Sequence, residues 1–287
     1  MRALRILQPL KAAGSWTVLP IHYSHDPAKT REWAAQAKAA YPNEADWDRE
    51  MEIDFSALTG VRAYPKFTRP LHLRRAADIV YNPMLPLCLC IDFNVGFMSW
   101  PVAQIVNNEP VAITEITLEP ADIPSMARAF RNRFPAHPAE LWIFGDASGH
   151  ARSVQSQQSN YDLLRLALSD YSAPIVMMVP EVNPPIHTRL NSVNTKLMTP
   201  AGKPGCVISD ACLNLIADFE EVLLDPKGHG VVKVSDPRHP YFKRTHSSDG
   251  WGYMCAREWP IVEELFRTET KPEKMPELVY GRLAGDL

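Results

Sequence analysis

The sequence predicts an α/β fold, a mixed β-sheet that begins with three antiparallel strands and is flanked by helices. Three observations carry this. Apolar runs of strand length stand at 85–95, 101–108 and 111–118 with short breaks between them. Beyond residue 120, helical periodicities alternate with further short apolar runs. Residues 1–60 differ in composition from all that follows, which separates an appendage from the main domain.

In order along the chain, residues 1–60 read as a helical linker or appendage. PAKTREWAAQAKAAYPNEADWDREMEIDF suits one or two amphipathic helices broken near Tyr41-Pro42, and Gly60 marks the boundary. The main domain is expected over 61–268, followed by a polar, flexible C-terminal tail at 269–287. Within the domain, LPLCLCIDFNV is a continuous apolar run closing on an acid. PVAQIVNN and VAITEITL follow it at hairpin spacing around an Asn107-Asn108-Glu109-Pro110 turn. PADIPSMARAFRNRF is a helix with Pro124 near its first turn and Met126, Ala127, Phe130 and Phe134 on one face. LWIFGDASG is a buried strand ending in an acid, and SNYDLLRLALSDY a helix capped by Ser159 or Asn160. APIVMMVP is a strand, TRLNSVNTKLM a helix and GCVIS a short strand. DACLNLIADFEEVLLD carries Leu213, Ile216, Phe219, Val222 and Leu223 on one stripe and is a core-facing helix. THSSDGWGYMCAREW is the last helical segment. The order β-β-β-α-β-α-β-α-β-α-α is that of a mixed sheet covered by helices.

The 287 residues, 46% hydrophobic and 22% charged, are those of a globular chain with a full core. No stretch approaches the roughly 20 apolar residues of a spanning helix, and no secretory h-region opens the chain, so a soluble, cytoplasmic protein is expected. The five cysteines sit mostly inside apolar runs and lack the paired spacing of a zinc site; they read as core residues in a reducing compartment. A net charge of −3 excludes a uniformly basic coat. Positive charge is clustered instead. Arg62, Lys66, Arg69, Arg74 and Arg75 form one acid-free stretch, and Lys233, Arg238, Lys243 and Arg244 form another just before Asp249.

Three acids stand where a lone carboxylate needs a reason. Asp92 closes an apolar strand, where an unpaired buried charge would cost several kcal/mol. Asp146 closes another and is followed by Ala-Ser-Gly, which leaves room for a substrate backbone. Asp249, in HSSDGWGY, sits in the first turn of a helix behind Ser247 or Ser248 as cap, with Gly250 and Gly252 beside it. Two strand-end acids and one helix-start acid can converge at a sheet edge, which is what Mg2+ or Mn2+ requires. Two such ions about 4 Å apart suit phosphodiester hydrolysis. Each acid also has an ordinary use: an internal Arg partner for Asp92, a turn cap for Asp146, a helix-start charge for Asp249. Glu115, on a strand beside the first, Asp162 and Asn94 are additional candidates, with a helix N-terminal role favoured for Asp162. Lys243, Arg244 and His246 are the expected phosphate neighbours.

These residues resemble the nuclease domain of the large terminase subunit of tailed bacteriophages. The resemblance is carried by DFN at Asp92 to Asn94, GDASGHARS at Gly145 to Ser153 followed by SNYDLL, VNPPIHTRLNSVNTKL at Val182 to Leu197, and HSSDGWGY at His246 to Tyr253. Upstream, DWDREMEIDFSALTGVRAYPKF resembles the segment joining that family's ATPase to its nuclease. The resemblance implies a ribonuclease H-like fold and a two-metal-ion endonuclease that cuts double-stranded viral DNA during genome packaging in the bacterial host cytoplasm. It implies Asp92, Asp146 and Asp249 as the catalytic and metal-holding acids. It also implies a packaging ATPase, a small terminase subunit and a portal protein as partners, and a phage or prophage source. Two departures stand out. Gly250 follows the last acid where a better helix former such as Ala is expected, at about 1 kcal/mol of helix propensity. No P-loop, G-x-x-x-x-G-K-[ST], is present, so either the chain is an excised domain or the ATPase is encoded separately. Two other readings stay open: a non-catalytic packaging or docking module, and another ribonuclease H-like nuclease such as a junction resolvase or transposase.

Overall fold

The structure, a computed structural model, describes residues 22–40, 61–153, 156–226 and 230–261, with 10–11, 17–18, 47 and 51 besides. Within the expected appendage, helix α1 spans Arg31–Ala40. The expected C-terminal tail lies outside the described residues.

The domain is built on a seven-stranded sheet. Its strands are β1 (Leu73–Arg74), β2 (Leu87–Ile91), β3 (Gly96–Val106), β4 (Glu109–Ala121), β5 (Leu141–Gly145), β6 (Ile175–Met177) and β7 (Val207–Ser209). The helices are α2 (Ile123–Arg133), α3 (Asn160–Ala167), α4 (Ile186–Leu197), α5 (Leu213–Glu221) and α6 (His246–Glu258). From β2 onward their order reproduces the alternation expected from periodicity. β2, β3 and β4 form the antiparallel meander, and the β3–β4 hairpin closes through Asn107 and Asn108. Both asparagines take positive φ, 51° and 64°, as a tight hairpin turn demands of its central pair. Pro110 is already in the ladder, opposite Ile105.

Across the sheet the order is β6-β5-β2-β3-β4-β7-β1. β5 and β6 run parallel to β2, whereas β3 alone runs against its neighbours on both sides. Five strands counted from β2 therefore lie in the order 5-4-1-2-3 with the second reversed, which is the ribonuclease H-like arrangement. β1, in a stretch expected only as a basic loop, extends the far edge by pairing with β7.

The pleat of β2 divides the core. Leu87, Leu89 and Ile91 point to α2 and α3, packing with Met126, Phe130, Tyr161 and Leu164. Cys88 and Cys90 point the other way, to Val193 and Leu197 of α4, Phe219 of α5 and Trp251, Met254 and Cys255 of α6. Because both faces of β2 are covered, its sequence is an unbroken apolar run. The five cysteines are free and buried, as core residues.

Helix ends show where local expectation and tertiary structure part. Ser159 caps α3 in a reciprocal capping box with Asp162, while Asn160 is the first helical residue. In α5, Leu215, Ile216 and Phe219 are buried but Leu213, at the first helical position, is 70% exposed and off the core stripe. For α6 neither Ser247 nor Ser248 is the cap. The helix starts after Thr245, which is left-handed at φ 78° and makes no side-chain cap.

Candidate functional site

Asp92 and Asp146 are the first residues beyond β2 and β5. These neighbouring parallel strands stay in register to their last pair, Ile91 with Gly145. The two acids thus leave adjacent strand ends, which lie about 4.8 Å apart in any such pair. Gly145 makes the corner possible: a Cβ there would stand 2.5 Å from the Tyr161 hydroxyl and 2.9 Å from the Ile91 carbonyl oxygen. That hydroxyl donates to the Asp146 carbonyl at 2.9 Å and ties α3 to the end of β5.

Asp249 reaches the same corner from the opposite direction. It lies in the first turn of α6, and Gly250 lets that turn touch β2: a Cβ at Gly250 would stand 2.9 Å from the carbonyl carbon and oxygen of Cys90. The glycine read from sequence as a departure is therefore the contact residue that seats Asp249 beside Asp92. The phenol of Tyr253, one turn on, is pushed far up by burial and by the charges of Asp146, Asp249 and Asp92, against Arg189.

Each carboxylate has protein partners. Asp92 Oδ2 lies 2.9 Å from Nδ1 of His246, whose Nε2 faces the Phe242 carbonyl at 3.1 Å. Burial and the nearby Asp249 raise the Asp92 carboxyl, opposed by the His246 contact. Burial opposes the His246 cation, but Asp92 and Asp218 outweigh it and raise the imidazole. The side-chain amide of Asn94 lies 2.8 Å from the same ring. For Asp146, burial is outweighed by hydrogen bonds from Asn183 and Ser148, which hold the carboxyl below its ordinary value. Asp249, 8% exposed, accepts from Arg189 Nη1 at 2.9 Å and from Lys233 Nζ at 2.8 Å.

The donor chemistry fits a hard dication, since the corner offers carboxylate oxygens from three elements. The present positions do not close on one: among the described residues no three His, Cys, Asp or Glu side chains form a metal-holding group. At Asp249 both oxygens are engaged by cationic side chains.

Other sequence candidates are placed elsewhere. Glu115 is not a ligand of this corner. Both its oxygens accept from the start of α5, at Asn214 N (2.7 Å) and Leu215 N (3.1 Å), so it caps a helix that has no side-chain cap of its own. Asp162 is spent on the α3 capping box. Arg244 is not a surface phosphate contact: its side chain is 11% exposed and faces Asp218 and Glu221. Lys243 pairs with Glu119 and lies over the Phe97 ring, and His246 is engaged with Asp92.

Three residues were not singled out for the site from sequence. Arg189 lies on α4 one turn before Val193 and two before Leu197, so a charge on the apolar face signalled a buried partner. Asp218 likewise falls between Leu215 and Val222 on the buried stripe of α5; fully buried, it accepts from Ser248 N at 2.9 Å and so caps α6 from outside. Lys233 was visible only as part of a basic stretch.

No family model matches the chain, and no curated protein matches it. Among solved structures, a large terminase from a thermophilic bacteriophage aligns at 11% identity and TM-score 0.47, over 82% of this chain and 54% of that one. The P22 large terminase nuclease domain aligns at 7% identity and TM-score 0.43, over 63% and 89%. The large terminase nuclease of the thermophilic phage G20c with bound magnesium aligns at 10% and 0.42, over 70% and 98%. The chain thus spans about half the length of the first of these terminases. The ribonuclease H-like reading of the fold stands on the strand order itself.

Proposed function

We propose that the chain is a nuclease module of phage DNA packaging, a divalent-metal-dependent endonuclease that cuts double-stranded DNA. The observation that supports this most is that Asp92 and Asp146 leave adjacent ends of two parallel strands while Gly250 packs the α6 turn that carries Asp249 against the end of β2. In this reading the three carboxylates hold Mg2+ or Mn2+. Such ions, when bound, activate a water and stabilise the leaving oxygen of a phosphodiester. Gly145 and Gly250 permit the close approach of Tyr161 and of the first turn of α6 to the strand ends beside Asp146 and Asp92. His246, with Nδ1 2.9 Å from Asp92 Oδ2, orients that carboxylate. Little sequence preference is expected, because contacts to phosphates position a duplex without reading bases. A packaging ATPase, a small terminase subunit and a portal protein are the partners this reading requires.

One observation favours a second reading, a non-catalytic docking module: Arg189 and Lys233 already neutralise Asp249. Plasmid nicking in Mg2+ or Mn2+ separates the two. The nuclease reading expects nicking by the wild type and none by Asp146→Ala at unchanged fold. No nicking, together with no thermal shift in millimolar metal, supports docking instead.

A further inference from the structure

We propose that Lys233 is a built-in counter-ion of the carboxylate corner, which an incoming divalent ion displaces from Asp249 and which then faces the DNA phosphates. This rests on the metal-binding reading above and adds to it a competition between an internal and an external cation.

The two cations on Asp249 are unlike each other. Arg189 belongs to α4, its side chain is 9% exposed, and its guanidinium lies 4.3 Å from the centre of the Tyr253 ring. It is built into the core and has no room to leave. Lys233 follows the bridge of Leu224 with Val231, and its side chain is 58% exposed although its ammonium ends 2.8 Å from Asp249 Oδ2. A compact ammonium on a flexible stem thus holds the Asp249 oxygen that a dication would need. An exposed stem lets it swing out without disturbing the fold. Once released it stands at the mouth of the site with an unpaired positive charge, which is what a phosphate oxygen attracts.

The test compares Mn2+ binding by wild type, Lys233→Met and Lys233→Arg, read by calorimetry and by thermal shift without DNA. Removing a competing partner worth up to about 1 kcal/mol predicts Mn2+ affinity higher by about fivefold in Lys233→Met. Lys233→Arg keeps the competitor and should stay near wild type. A second measurement is duplex binding in Ca2+ as a function of salt, where Lys233→Met should flatten the slope by about one phosphate contact. If wild type binds Mn2+ and Lys233→Met binds it equally or more weakly, the displacement is refuted while the metal site stands. If wild type shows no Mn2+ binding, the metal reading itself falls, and this inference with it.

Discussion

Replacing Gly250 with alanine sets two effects of opposite sign against each other. In a helix interior Ala is favoured over Gly by about 1 kcal/mol, so helix propensity alone predicts a more stable protein. The structure predicts the reverse. The added Cβ would stand 2.9 Å from the Cys90 carbonyl carbon and oxygen and 3.1 Å from the Ile91 nitrogen, all backbone atoms of β2 that cannot rotate away. Relief requires moving α6 off the sheet, and overpacking of this kind costs about 1–3 kcal/mol. The net is a loss of up to about 2 kcal/mol after subtracting the propensity gain, or roughly 2–4 °C of Tm per kcal/mol for a domain of this size. The same shift draws Asp249 and His246 away from Asp92. Misplacement by about 1 Å can cost on the order of 100-fold in rate. Urea denaturation gives the stability term, and plasmid nicking in Mn2+ gives the functional one. Gly250→Ala that is more stable than wild type and nicks normally would show that α6 has slack against β2, and the argument for the site's geometry would fail.

Four further outcomes follow from the same contacts. Arg189→Met leaves Asp249 buried with only Lys233 beside it and should cost about 3–5 kcal/mol in urea melts, most of it recovered by adding Asp249→Asn. Asp162→Ala removes a capping-box member and should cost about 1 kcal/mol with nicking unchanged; loss of nicking at unchanged stability would restore it as a ligand. Asp218 has its carboxyl raised by burial from 3.8 to about 7, partly opposed by Arg244 and the Ser248 amide. The folded protein therefore binds a proton there that the unfolded chain has lost, so stability falls as pH rises from about 4 to about 7. Asp218→Asn keeps an acceptor for Ser248 and removes that loss, so its Tm relative to wild type should climb across this window; a constant difference from about pH 4.5 to about pH 7.5 contradicts the assignment. Glu115→Ala should cost about 1 kcal/mol in urea melts by uncapping α5, and Glu115→Gln, which keeps an acceptor for the Asn214 and Leu215 amides, should recover most of it.

Much of the architecture was legible because burial writes itself into short periods. The double-sided burial of β2 appears as LCLCI, and the hairpin at Asn107-Asn108 appears as two residues that tolerate positive φ. Asp92 and Asp146 stood out because an acid at the end of an apolar run is costly unless used. What sequence did not show is long-range. Nothing local in HSSDGW tells that the cap of α6 comes from Asp218, 30 positions earlier, so Ser247 and Ser248 were the natural expectation. Glu115 alternates on β4 like a candidate ligand, and only the packing of α5 shows both oxygens committed. Arg244 sits in a basic run and turns inward because Asp218 and Glu221 are there to meet it. Gly250 is the clearest case, since a helix-propensity argument sees one helix and the reason for the glycine lies on a strand.

The paired caps at Glu115 and Asp218 carry an implication for how this domain tolerates change. Strand β4 grips the start of one helix through a carboxylate, and that helix grips the start of the next in the same way. The orientation of the last helix is thus inherited stepwise from a strand remote from the acids it serves. Substitutions along this relay will disturb the far corner with no atom touching it, and a graft that transplants the three aspartates onto another sheet without both linkages will reproduce the ligands and lose their aim.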